Sequence, residues 1–94
     1  MGVPQPPHSL DAEELGVLVA AGGGEPERLV MLGRPAHGRV HIREWSTGTW
    51  AGAPDERDAG IEETFSRFQR AFDERRRLSV ALPRIRAWLD GRPV

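Results

Sequence analysis

The chain has 94 residues, a formal net charge of −1 at pH 7 and no cysteine. That length fits one domain with a single modest core. The charge gives no global field to steer the chain onto nucleic acid or an acidic membrane, and the missing cysteines exclude disulfides, thiolate nucleophiles and Cys-ligated zinc.

Eleven glycines and eight prolines predict short elements and long loops. The charge is uneven. Residues 1–56 carry four Arg against eight acids, residues 57–94 nine Arg against six, and no cation is Lys.

Residues 1–8 read as a disordered tail, because Pro4, Pro6 and Pro7 oppose both helix and ladder. Residues 9–94 read as one small domain. The opening Met-Gly-Val-Pro lacks the basic and apolar regions of a signal peptide. No apolar run has the length needed to span a bilayer, so the expected location is cytoplasmic, with no membrane partner.

Ser9 suits an N-cap, with Asp11, Glu13 and Glu14 in a first helical turn where the dipole favours anions. Leu15, Leu18 and Val19 supply a stripe, and Gly22, Gly23 and Gly24 a stop, so an N-terminal helix is expected. The competing reading makes residues 16–20 a strand. Residues 28–32 and 39–45 form a β-hairpin around the Gly33–Gly38 turn, the second strand alternating Val40 and Ile42 against Arg39, His41 and Arg43. With residues 16–20 as a strand, the hairpin becomes a three-stranded meander. Residues 46–53 read as a loop.

Residues 55–77 read as a long amphipathic helix with Ile61, Phe65, Phe68 and Phe72 on its buried face. Ser79 suits the N-cap of a second helix ending at Gly91, with Pro83 in its first turn. The expected fold is α+β: an N-terminal helix, a β-hairpin and a C-terminal amphipathic helix pair packed as an αα-hairpin.

The chemistry-bearing residues are sparse. His37 and His41 share a strand face while Glu44 points to the opposite one, and the two histidines are too far apart for one ion, so no metal is expected. The four serines sit in cap, loop or helix positions without a nucleophile elbow. The glycine triplet lacks the Gly-Lys-Ser/Thr ending of a phosphate loop. No catalytic residue and no cofactor are assigned.

Two surfaces remain. Trp45 and Trp50, with Arg43 and Arg39, stand on the expected outer side of the hairpin; Trp and Arg are enriched among interface anchors. Arg75, Arg76 and Arg77, with Arg70, Arg84 and Arg86, form a candidate phosphate-binding patch. A hairpin also leaves open strand edges. The leading expectation is a non-catalytic protein–protein interaction or regulatory module that self-associates or joins a larger complex. The alternative is an accessory nucleic-acid binder using the Arg75–Arg77 region, and a further one an enzyme whose site is shared across a dimer interface.

Overall fold

Residues 13–21, 26–46 and 52–92 are described by the computed structural model. The elements are β1 (Glu14–Ala20), β2 (Pro26–Gly33), β3 (Arg39–Ser46), β4 (Asp55–Gly60), α1 (Ile61–Asp73), β5 (Arg77–Leu78) and α2 (Leu82–Leu89). The strands form one antiparallel sheet in the order β4-β3-β2-β1-β5.

This architecture overturns the expected order of helix, hairpin and helix pair. The N-terminal segment is β1, the strand that competed with the helical reading. Leu15, Val17 and Val19 turn to the core while Glu14, Gly16 and Leu18 turn away. Two β-branched valines suit a pleat, and Gly16 would cost a helix interior about 1 kcal/mol. A Cβ at Gly16 would lie 2.9 Å from the Met31 sulfur of the neighbouring strand, a contact that the flexible methionine side chain could relieve by shifting. The Ser9 cap, the glycine stop and the Pro-rich tail lie outside the described residues.

The β2–β3 connection closes on His37 and Gly38, both at positive φ (55° and 76°). Ala36 and Arg39 exchange both backbone hydrogen bonds across them, as in a two-residue turn of the primed type, whose twist matches that of paired strands.

The largest departure lies in residues 55–60. They form β4, an edge strand paired with β3 from Arg39↔Gly60 to Glu44↔Asp55, and only Ala59 among them is buried. A charged edge strand discourages pairing with other chains. The helix therefore starts at Ile61, where the Glu63 carboxylate accepts from the Gly60 N–H, and stops at Asp73.

Successive antiparallel pairs leave β4 and β5 parallel, at opposite edges of the sheet. Helix α1, about 20 Å long at 1.5 Å per residue, carries the chain diagonally between them. It lays Phe68 and Thr64 into the core and Ile61, Phe65 and Ala71 against it. Phe72 occupies the same stripe but is 58% exposed, on a groove that it shares with Leu78, Val80, Leu82 and Pro83. The expected burial of Phe72 is corrected accordingly.

Strand β5 separates the two helices. Ser79 is not the cap of α2, which is Ala81. Instead its hydroxyl accepts from the Leu18 N–H at 2.7 Å and its N–H donates to the Leu18 carbonyl at 3.0 Å, extending the β1 edge. Pro83 sits in the first turn of α2. Ile85, Trp88 and Leu89 then complete one core with Val17, Val30, Leu32, Val40 and Ile42. The Trp88 indole N–H donates to the Gly33 carbonyl at 2.9 Å, so this tryptophan is structural.

Both helices end in the same motif, with different residues at its left-handed position. After α2, Gly91 (φ 75°) donates to Trp88 and Arg92 to Ala87; after α1, Arg75 (φ 67°) donates to Phe72 and Arg76 to Ala71. A non-glycine residue is disfavoured there by its Cβ. Arg75→Gly should therefore stabilise the fold by about 0.5 kcal/mol and Gly91→Ala destabilise it by about 1 kcal/mol. Chemical denaturation of both variants checks this: the two midpoints should move in opposite directions.

Candidate functional site

All of the packed core lies between the helices and one face of the sheet. The opposite face is built by alternation from four strands. Direct pairing sets three rows across it. Leu18, Leu29 and Trp45 form the first; Gly16, Met31, Arg43 and Glu56 the second; Glu14, Gly33, His41 and Asp58 the third. The face thus grades along the strands from apolar to charged.

Leu18 is 39% exposed, and Leu29, Met31 and Trp45 are half-buried. The Trp45 indole N–H donates to the Gly52 carbonyl at 3.0 Å, and the Arg43 guanidinium stands 5.2 Å from its ring centre. Arg43 also pairs with Glu14, Nε and Nη2 donating at 2.8 and 2.5 Å. Arg39 donates to the Asp58 carbonyl at 3.1 Å. The structure thus brings Arg39, Arg43 and Trp45 onto one face; Trp50 lies outside the described residues.

His41 is clamped between carboxylates, Nε2 to Glu56 at 2.9 Å and Nδ1 to Asp58 at 3.0 Å. Both ring nitrogens can donate only as the imidazolium. The hydrogen bond to Glu56, then that to Asp58, raises its pKa above the ordinary 6.5. His37 sits in the turn, away from this clamp.

The helix-covered face holds an arrangement that the sequence reading did not single out. Glu44 follows Val40 and Ile42 on the buried side of β3 and is only 6% exposed. Three guanidiniums converge on it. Arg67 of α1 donates through both terminal nitrogens at 2.8 and 2.6 Å, Arg28 of β2 at 2.8 Å and Arg57 of β4 at 3.2 Å. Burial alone would raise the carboxyl pKa. The Arg67 hydrogen bonds foremost, then those from Arg28 and Arg57, outweigh burial and hold it at about 2. The signal was present in the sequence: an acid at the even position of an otherwise apolar strand face. Beside this cluster α1 and the sheet enclose a cleft of about 480 Å³.

The six arginines of the candidate phosphate patch are not equivalent. Arg86 is held by Asp90 and Glu62, with contacts from 2.6 to 3.1 Å, and stacks on Phe65. Those bonds, to Asp90 first, raise its pKa further. Arg76 pairs with Glu27, and with Glu74 at 3.7 Å. Arg70, Arg75, Arg77 and Arg84 make no ion pair among the described residues. Arg76 and Arg77 border an apolar groove containing Phe72, Leu78, Leu82 and Pro83.

Among the described residues no cluster of His, Asp and Glu has metal-site geometry, and no described helix is long and apolar enough to cross a membrane. Compared with protein-family models, curated proteins and solved structures, the chain matches none of them.

Two pH predictions of opposite sign follow from β3. Glu44 is held below the ordinary 4.5, so its contribution, on the order of 3 kcal/mol, is present above that value and fades as pH falls toward 2. Glu44→Gln should cost about 2–4 kcal/mol at neutral pH. The deficit should shrink between about pH 5 and pH 2, read by urea titration at each pH.

His41 is raised above 6.5. Its contribution is therefore complete below 6.5 and disappears as pH rises through the elevated value. The stability advantage of the parent over His41→Gln should fall across that interval; a constant difference would contradict the clamp.

Proposed function

We propose that the protein is a non-catalytic interaction module whose open sheet face packs against the same face of a second copy. The observation that carries this reading is one-sided burial: both helices cover one face, while Leu18, Leu29, Met31 and Trp45 lie on the other.

Area and charge favour a second copy as the occupant. Four strands about 4.8 Å apart and some 23 Å long give a plane on the order of 450 Å². Two such faces bury roughly 900 Å², just under the size of a standard specific interface and within the range of weak, reversible ones. The face carries little net charge while His41 is protonated, because Arg39, Arg43 and His41 stand against Glu14, Glu56 and Asp58. Two copies therefore meet with little repulsion, and in a two-fold arrangement the apolar row of each contributes to a shared centre. Trp45, held by Gly52 and Arg43, is an ordered anchor that loses little freedom on association.

The nucleic-acid alternative draws less support. Arg86 and Arg76 are already paired with acids, which weakens the continuous basic surface it requires.

Sedimentation equilibrium over a micromolar concentration range tests the proposal. The parent should show a monomer–dimer equilibrium. Leu18→Glu, at an exposed position, should raise the dissociation constant at least about tenfold, since each dimer would contain the substitution twice, while the melting temperature read at a dilution where both proteins are monomeric stays unchanged. A parent protein that stays monomeric throughout would refute the reading.

A further inference from the structure

We infer that the cleft between α1 and the sheet, beside Glu44, binds the phosphate group of a small organic phosphomonoester. The site lies on the helix-covered side and does not depend on the pairing of open faces.

The first argument is charge. One carboxylate needs one guanidinium, and Arg67 already meets Glu44 with a bidentate pair at 2.8 and 2.6 Å. Arg28 and Arg57 add two more positive charges to the same acid. The cluster thus carries an excess of two positive charges; Arg28 and Arg67 line this cleft while Arg57 lines the neighbouring one, and the field of all three favours a phosphomonoester dianion over a monoanion. A buried carboxylate is costly, and an apolar residue of similar size commonly serves the core as well. Glu44 earns its place on the Val40–Ile42 row by fixing three guanidiniums in orientation.

The second argument is donor capacity. Each guanidinium offers five N–H groups. Arg67 directs two of its own and Arg28 one of its own at Glu44, and neither meets another acid among the described residues. Both line the cleft, so donors remain on its wall in the planar geometry that suits phosphate oxygens.

The third argument is shape. The cavity, about 480 Å³, is within the range of small-molecule sites. Val19, Phe68 and Ala71 supply an apolar floor. Glu27 and Arg76, paired with each other, form the far wall. The Glu27 carboxylate repels an anion there and places the phosphate at the Arg28–Arg67 wall, leaving the floor for the body of the ligand.

Titration calorimetry with phenyl phosphate, inorganic phosphate and benzoate tests the site on the intact chain. Phenyl phosphate should bind saturably, more tightly than inorganic phosphate, which lacks the apolar body, and than benzoate, which lacks the second charge. Arg28→Gln should weaken phenyl phosphate at least about tenfold; Arg28 is 52% exposed, so the fold should survive its loss. Arg67→Lys, which keeps the charge but not the fork, should also weaken it. Arg84→Gln, an exposed cation on α2 outside the cleft, should leave it unchanged. Absence of saturable binding, equal affinity in Arg28→Gln, or equal weakening by Arg84→Gln would overturn the assignment.

Discussion

A single buried carboxylate joins four elements of this fold. Glu44 projects from β3 into the layer between sheet and helices, and receives arginines from β2, β4 and α1. Strand β4 depends on it most, because Ala59 is the only buried residue that β4 places in the core. Hydrogen bonds to β3 hold the β4 backbone, and the Arg57–Glu44 contact holds its side-chain layer. The same contact set fixes the azimuth of α1: Arg67 reaches Glu44 when Phe68, the next residue, faces the core. Removing the acid would leave three guanidiniums converging on nothing, a larger penalty than the loss of one ion pair.

The diagonal course of α1 then determines what the rest of the surface can be. A helix that must connect opposite edges of a five-stranded sheet covers one face, and α2 fills the remainder of that face with Ile85, Trp88 and Leu89. No described element remains for the other side. The chain handles that exposure by grading the open face, with ordered ion pairs toward the Glu14 and His41 end and apolar residues confined to Leu18, Leu29, Met31 and Trp45. At the end of α1 Phe72 stays exposed beside Leu78 of β5. The left-handed Arg75 belongs to the same turn, so local strain and exposed apolar surface coincide there.

The parts legible in the sequence were those where one physical signal acted alone. The β2–β3 hairpin follows from alternation and a Gly-bounded turn, and the outward direction of Trp45 follows from the same parity. Elsewhere two signals competed. In residues 14–20, Leu15, Leu18 and Val19 fit a helical stripe as well as Leu15, Val17 and Val19 fit a pleat, and pairing with β2 decided between them. Residues 55–60 gave no apolar pattern, because an edge strand with one buried residue needs none; their acids and Arg57 resembled the solvent face of a helix. Ser79 had the chemistry of a cap but used its hydroxyl on a strand edge. Glu44 was placed on the correct face by parity, yet its meaning depended on Arg28, Arg57 and Arg67, residues 13 to 23 positions away that only the fold brings together.

Strand β3 also sets how the molecule responds to pH. Its alternation puts Glu44 inside and His41 outside, three residues apart, with ionisations that act in opposite directions. The inner carboxylate, shielded from water, loses a large contribution when acid protonates it. The outer imidazolium, in contact with solvent, loses a small one when base removes its proton, because exposed ion pairs are screened. The stability profile is therefore asymmetric, with a steep acid limb governed by the core-facing cluster and a shallow limb above pH 6.5 governed by the open face. Since Glu56 and Asp58 both belong to β4, the shallow limb also reports how firmly that edge strand is held. Deprotonation of His41 leaves a single ring N–H, so one of its two hydrogen bonds from β3 to β4 is lost and the other loses its charge, while the Arg57–Glu44 contact on the other side of the same strand stays intact.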